Sequence, residues 1–291
     1  MLIDGKALAH QIEEELKAEI SMLPGRKPCL AVLLIGDYPP SKIYVNRKTE
    51  SCLKIGIKPL KRDLSSEISE AALLQEIADL NEDASVDGIL VQLPLPPQID
   101  PMKVSLAIDP RKDVDGFHPI NLGKLLLGEK DGMVPCTPLG IQELLISANA
   151  EVEGKHVVIL GRSNIVGKPL AALLMQKGKG ANATVTVANS QTRDLKRICK
   201  EADILIAAMG SPLFVDPSYV KEGAYVIDVG INKLEDPTKA KGYRIVGDVD
   251  FDAVYPLCKA ITPVPGGVGP MTIALLLKNT LKAYRSIHET P

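Results

Sequence analysis

Leu8, Ile12, Leu16 and Ile20 recur every four residues and predict an amphipathic first helix, because side chains at that spacing share one face. The rhythm then changes. Cys29–Ile35 is an unbroken apolar run stopped by Gly36-Asp37, as expected of a strand buried on both faces of a parallel sheet. After Pro39-Pro40, Ser41 is placed to cap a second helix, which Gly56 closes. Residues 57–64 read as a strand, 67–80 as a helix and 88–92 as another buried strand. Such alternation calls for right-handed crossovers and a mostly parallel sheet.

Thr137-Pro138 reads as a helix start, an N-cap residue followed by proline in the first turn. A second series follows, with strands at His156–Leu160, 183–187, 204–208 and 224–229 and helices at 167–177 and 193–201. This is a βαβαβ arrangement of nucleotide-binding type. A strong helix covers 271–288, with Leu275, Leu276 and Leu277 at its centre. The expected fold class is α/β, with two α/β domains flanking a cleft and the second a Rossmann-like, doubly wound parallel sheet. The expected domains are 1–140 and 141–270, with helix 271–288 returning to the first.

Composition narrows the function. Across 291 residues, 34 Lys plus Arg face 36 Asp plus Glu, a balance that argues against a protein built to coat phosphate backbones. Aromatics are 3% and Trp is absent, so stacking platforms for single-stranded nucleic acid lose support as well. No apolar run approaches the roughly 18 residues that span a bilayer. Asp4 and the Glu13-Glu14-Glu15 run leave no targeting pattern near the N-terminus, so a soluble, cytoplasmic protein is expected. The five cysteines are widely spaced, without Cys-x-x-Cys or a nearby His, and read as buried, reduced thiols rather than a metal site.

Gly161 follows an apolar strand and Gly167 opens the next helix, the setting of a dinucleotide loop. In G-x-G-x-x-G register the three positions are Gly161, Ser163 and Val166, so two glycines are missing and an ordinary strand–helix turn remains open. The second strand ends Val187-Ala188-Asn189-Ser190, with no carboxylate to repel a ribose 2′-phosphate, and Arg162 in the turn could pair with that phosphate. NADP is therefore expected over NAD.

Tyr44 and Lys48 are i,i+4 on one helical face. Such a pair is ordinarily surface decoration; alternatively Lys48, partly desolvated and beside Arg47, has its pKa lowered into the range of a useful base. Gln92 closes a strand at the carboxyl end, where α/β proteins place ligands, or else caps that strand. Asp113 and Asp115 lie in a loop too poor in oxygen ligands for Ca²⁺, and an Asx-turn before Gly116 is the alternative. Pro265, Gly266, Gly267, Val268 and Gly269 form either a backbone-lined wall for a flat ligand or a rigid linker.

Taken in order, Ser41-Lys42-Ile43-Tyr44-Val45-Asn46-Arg47-Lys48, Gly88-Ile89-Leu90-Val91-Gln92-Leu93-Pro94-Leu95-Pro96, Lys112-Asp113-Val114-Asp115-Gly116, Pro135-Cys136-Thr137-Pro138, Gly161-Arg162-Ser163-Asn164-Ile165-Val166-Gly167, Val226-Ile227-Asp228-Val229-Gly230-Ile231-Asn232, Gly247-Asp248-Val249 and the 262–272 segment resemble the bifunctional methylenetetrahydrofolate dehydrogenase/cyclohydrolase family over nearly the whole chain. The resemblance implies NADP-dependent oxidation of 5,10-methylenetetrahydrofolate, then hydrolysis to 10-formyltetrahydrofolate, with folate in the interdomain cleft. It implies that Lys48 is the key catalytic group, that Gln92 tunes it, that Asp115 anchors the pterin and that Tyr44 stacks on the folate ring. Val91, Leu93 and the 265–269 wall would complete the folate side. Gly161, Arg162, Ser163, Ser190 and Ile231 would hold NADP, no metal is implied, and the expected assembly is a homodimer joined through the nucleotide-binding domain.

Two positions depart from the family pattern. Asn189 stands where the family usually has a His; it donates a hydrogen bond but carries no charge, so weaker 2′-phosphate binding is expected. Glu50 stands where a small or basic residue is common, and a carboxylate there would oppose lowering of the Lys48 pKa. A monofunctional relative or a non-catalytic NADP-binding protein are the competing readings, against which the retained Lys48, Gln92 and Asp115 and the nucleotide loop argue.

Overall fold

The computed structural model describes residues 1–239 and 242–288, and the chain divides into two compact α/β units. One comprises His10–Cys136 and the segment from Ile273 onward; the other comprises Met1–Ala9 and Thr137–Thr272.

In the first unit the elements run α1 (Gly5–Met22, its later turns), β1 (Cys29–Ile35), α2 (Pro39–Ile55), β2 (Lys58–Leu64), α3 (Glu70–Glu82), β3 (Gly88–Val91), α4 (Pro101–Ala107) and α5 (Pro119–Leu127). The sheet order is β2-β1-β3, all parallel, so β1 is central and all seven of its residues are buried. That is why it needed an unbroken apolar run. Leu73, Ile77 and Leu80 of α3 pack with Ala31, Leu33, Ile35 and Ile89 in one core cluster, each such side chain contributing about 1.5–3 kcal/mol of burial.

Two helix starts differ from the sequence expectation. Tyr38, not Ser41, precedes α2, because Pro39 and Pro40 supply the preset φ of a first turn without needing a side-chain cap. Ser41 lies inside the helix, buried, with its hydroxyl donating to the Leu93 carbonyl at 3.3 Å. Helix α3 starts at Glu70 rather than at 67, since Ser69 is its cap and accepts from the Ala72 N–H at 3.2 Å. Gly56 does close α2, in the left-handed region at φ 88°. The C-terminal end of α3 is met by buried Lys112, whose Nζ donates to the carbonyls of Leu80, Asn81 and Asp83 at 3.1, 2.7 and 2.9 Å.

In the second unit α6 (Cys136–Ser147) is followed by β4 (His156–Leu160), α7 (Gly167–Leu174), β5 (Thr184–Ala188), α8 (Leu195–Lys200), β6 (Ile204–Ala207), β7 (Tyr225–Asp228), β8 (Asn232–Glu235), β9 (Tyr243–Val246), α9 (Phe251–Val254), β10 (Ala260–Ile261) and the first turn of α10 (Val268–His288). The sheet order β10-β7-β6-β4-β5 is parallel throughout. The chain leaves β4 to one side and returns on the other, so the switch point lies between β4 and β6. The antiparallel β8–β9 pair stands apart from this sheet.

Boundaries again shift where polar residues mislead. Helix α6 begins at Cys136, one residue before the expected Thr137 cap, whose hydroxyl is instead 3.0 Å from that of Thr272. Strand β5 moves by one residue, β6 ends one residue early, β7 loses one residue at each end, α7 stops at Leu174, and α8 starts at Leu195 after Asp194 at φ 52°. Helix α10 begins at Val268, three residues earlier than expected, because Pro270 falls in its first turn, where a missing N–H costs nothing. Val268 and Gly269 are thus helical rather than part of a loop wall.

Candidate functional site

Residues of α2 and of the two loops beyond β3 meet in the first unit. Lys48, on the inward face of α2, is only 9% exposed, and its ammonium donates to Gln92 Oε1 at 3.1 Å. Gln92 follows β3 directly; its backbone N–H bonds to the Leu33 carbonyl at 2.9 Å and its Nε2 donates to the Leu93 carbonyl at 2.8 Å. The second of these bonds fixes which end of the amide faces the lysine. Val91 is buried at the end of β3, Leu93 is exposed, and Tyr44, one turn before Lys48, is half-buried.

Asp113 and Asp115 have different fates. The backbone bridges Ile89 to Asp113 in parallel, extending the sheet by one short rung. The buried Asp113 carboxylate then accepts from the N–H groups of Phe117 and His118 at 3.2 and 2.8 Å and from Asn121 Nδ2 at 2.8 Å. It builds the loop. Between the two, the Val114 carbonyl accepts from Asn279 Nδ2 at 2.9 Å and from Cys136 Sγ at 3.3 Å. Gly116, at φ 74°, lies so close to the 134–135 backbone that a Cβ would fall 2.6 Å from the Pro135 nitrogen. Asp115 is thereby presented as the half-buried carboxylate of the pair; burial pushes its pKa up and the nearby Lys48 ammonium pulls it down. Arg47 and Glu50 are both exposed, the latter about 200° around the helix from Lys48, so the charged neighbour that matters is Asp115. Asn279 and Asn121 had no marker in the sequence, because their roles arise only once distant segments meet.

The second unit carries the other candidate set. A Cβ on Gly161, at φ 125°, would run into the Ala208 carbonyl oxygen, and one on Gly167 would run into that of Gly161. Both glycines are therefore required by close backbone approach, although the full three-glycine pattern is absent. Ser163 Oγ accepts from the Val166 N–H at 3.1 Å, so it caps the turn into α7, while Arg162 and Ser190 are exposed. The Gly161 N–H donates to the Ala188 carbonyl at 2.9 Å, which sets the loop beside the 189–190 turn. Asn189 shapes that turn: its Oδ1 accepts from the Gln191 N–H at 3.0 Å. A bare-backbone turn leading into an eight-residue helix, with an exposed guanidinium beside it, fits a dinucleotide's phosphates.

Ile231, just past β7, is exposed, and a Cβ on Gly269 would lie 3.7 Å from its Cδ1. The unit therefore brings this cofactor candidate against the first turn of α10, just past the 264–267 turn. That turn is pinned by the Lys6 N–H donating to the Gly266 carbonyl at 2.9 Å. Every cysteine is free; burial raises the Cys52 thiol to about 12 and Cys199 and Cys258 to about 11, so these are unreactive thiols. Among the described residues no group of His, Cys, Asp or Glu could hold a metal ion, and no helix is long and apolar enough to cross a membrane.

Comparison with known proteins agrees with this geometry. Residues 3–115 match the family model for the tetrahydrofolate dehydrogenase/cyclohydrolase catalytic domain, and residues 135–288 match that for its NAD(P)-binding domain. The chain is 57% identical to the bifunctional protein FolD of Protochlamydia amoebophila, covering 98% of this chain and 97% of that protein. Its fold is similar to the crystal structure of the bifunctional enzyme FolD from Campylobacter jejuni, with a TM-score of 0.93, 49% identity and coverage of 98% and 99%. It is similar too to the Trypanosoma brucei methylenetetrahydrofolate dehydrogenase-cyclohydrolase complexed with NADP cofactor and inhibitor, with a TM-score of 0.94, 40% identity and coverage of 100% and 99%. With both halves matched at such identity, the chain belongs to the tetrahydrofolate dehydrogenase/cyclohydrolase family.

Proposed function

We propose that this chain is a bifunctional one-carbon folate enzyme, oxidising 5,10-methylenetetrahydrofolate with NADP and hydrolysing the 5,10-methenyltetrahydrofolate formed to 10-formyltetrahydrofolate. The observation that carries the reading is Lys48, buried on α2, donating to Gln92 and lying near Asp115, whose carboxyl burial holds above its usual pKa against the opposing pull of the lysine.

In the first step bound NADP would supply the acceptor for the hydride that leaves the carbon between N5 and N10. The folate nitrogens stabilise the positive charge that develops, so the protein's task is to orient the reactants. Gly161, Arg162, Ser163, Ser190 and Ile231 would hold the cofactor, with Arg162 selecting the 2′-phosphate. In the second step water adds to the methenyl carbon and the carbon–N5 bond breaks. Lys48, as the free amine, takes one proton from water and returns it to N5, the second water proton leaves to solvent as the formyl C=O forms, and Gln92 keeps the Lys48 Nζ aimed at the reacting atoms. Asp115 holds the pterin by accepting from its N–H groups, Tyr44 stacks on the ring, and Val91 and Leu93 line it. The 265–269 residues remain folate contacts by resemblance.

The proposal extends to a homodimer, supported by β5 ending the sheet as an unpaired edge strand with part-exposed Val187. A cytoplasmic location is supported by five unpaired thiols. Lys48→Met is the deciding variant: hydrolysis should fall by about 10²-fold or more while NADP affinity stays unchanged. Full hydrolytic activity in that variant would remove Lys48 from its role.

A further inference from the structure

Two carboxylates enclosed at the carboxyl ends of the five-stranded sheet have no part in the reading above. Asp248, two residues past β9, has no exposed surface. Its Oδ2 accepts from the backbone N–H groups of Met209 and Gly210 at 2.7 and 2.9 Å; its Oδ1 accepts from the Ser211 N–H and from Asn232 Nδ2, both at 2.9 Å. Three consecutive N–H groups converging on one anion form a nest of the kind that binds phosphates. Here the anion belongs to the protein.

Asp228, the last residue of β7, holds Asp248 in turn. Its Oδ1 accepts from the Asp248 and Gly230 N–H groups at 2.9 and 3.0 Å, and its Oδ2 from the Val249 N–H at 2.9 Å. Glycine is required around both: a Cβ on Gly230 would enter the Asp248 carboxylate, and one on Gly247 would enter that of Asp228. The sequence offered only the pairs Gly247-Asp248 and Asp228-Val229-Gly230 as a trace of this arrangement.

The ties lead toward the nucleotide loop. The 209–211 turn follows β6, the neighbour of β4 at the switch point, and begins one residue after Ala208, whose carbonyl abuts Gly161. Asn232 adjoins Ile231. We propose that Asp248 is a positioning residue for the dinucleotide, fixing the 209–211 turn and, through Asn232, the Ile231 segment before the cofactor arrives. The inference rests on the reading of the Gly161 loop as an NADP site. A loop already held by its own internal anion need not be ordered on binding, which is where such a residue contributes affinity.

The hydrolytic step supplies an internal control, since it requires no nucleotide and its candidate residues belong to the other unit. Asp248→Asn keeps the shape but loses the charge and one acceptor oxygen. In the full-length protein, NADP affinity is measured by calorimetry, the dehydrogenase KM for NADP by steady-state kinetics, and methenyltetrahydrofolate hydrolysis without nucleotide. The expected result is a KM for NADP raised about tenfold or more, with hydrolysis within about twofold of wild type, as loss of charge-assisted bonds implies. If Asp248→Asn does not fold, Asn232→Ala, which removes one contact of four, decides the matter with an expected rise of about threefold. Unchanged NADP affinity in a folded variant, or an equal fall in both activities, overturns the proposal. Failure of the wild type itself to bind NADP would overturn the site assignment beneath it.

Discussion

Lys48 donates to the oxygen end of the Gln92 amide, and the nitrogen end of that amide donates to the Leu93 carbonyl. The orientation is set by the backbone, since the carbonyl demands a donor. Gln92→Ala should therefore lower hydrolysis by about 10-fold or more without changing the thermal midpoint by more than a few degrees, because the lysine loses its aim. Gln92→Glu should not rescue, because a carboxylate would face the Leu93 carbonyl. Hydrolysis rates and melting curves of the two variants check this; wild-type rates in Gln92→Ala would contradict it.

Asp115 is expected to act on substrate rather than on folding. Asp115→Asn should raise the KM for folate about tenfold, the scale of a lost hydrogen bond to a charged group, while NADP affinity is retained. Asp113→Asn differs, because Asp113 receives three donors that build the loop. That variant should lose about 1–3 kcal/mol of stability, measured by denaturant unfolding.

Arg162→Ala tests cofactor choice. Loss of a charge-assisted contact to the 2′-phosphate should raise the KM for NADP by about 10–100-fold and leave that for NAD within about threefold. Equal effects on both nucleotides would show that Arg162 does not read the phosphate.

Asp228 gives a pH signature. Burial, opposed by three backbone N–H donors, raises its pKa to about 7. Because the folded value lies above the unfolded one of about 3.9, the folded state holds the proton more tightly, so this group's contribution to stability falls as pH rises from about 4 through 7. Asp228→Asn cannot titrate, so its stability deficit relative to wild type should shrink as pH rises from 5 to 8. Chemical denaturation at both pH values reads it; a deficit that grows with pH would contradict the assignment.

Gly161→Ala should be costly at the backbone itself. A methyl group at φ 125° facing the Ala208 carbonyl predicts a loss of about 2–4 kcal/mol and loss of NADP binding. Calorimetric titration with NADP and a melting curve are the measurements.

The parallel-sheet architecture was legible because its signals are local. Cys29–Ile35 and His156–Leu160 are continuous apolar runs, and the strands lie there residue for residue. Helix starts were less legible. Ser41 and Thr137 carry good cap side chains, yet Pro39-Pro40 and the Cys136 contact with Val114 set the true starts. The β8–β9 pair, α4 and α5 left no clear periodicity, being four, seven and nine residues long at most. Within the site, Lys48 and Gln92 were visible as polar groups at a helix face and a strand end. Which aspartate of the 113–115 pair was structural could not be read, since Asn121 and the 117–118 backbone decide it. The Asp228–Asp248 ties were likewise hidden, because residues 209–211, 228–232 and 248–249, distant in sequence, must meet before the network forms.

One chain performs two consecutive reactions on a folate carbon. The most direct measurement follows 5,10-methylenetetrahydrofolate and NADP with the purified protein, reading NADPH and methenyltetrahydrofolate absorbance together. NADPH should form with only transient methenyltetrahydrofolate, and 10-formyltetrahydrofolate should be the product. Absence of NADPH, or methenyltetrahydrofolate that persists as it does in buffer alone, would contradict it.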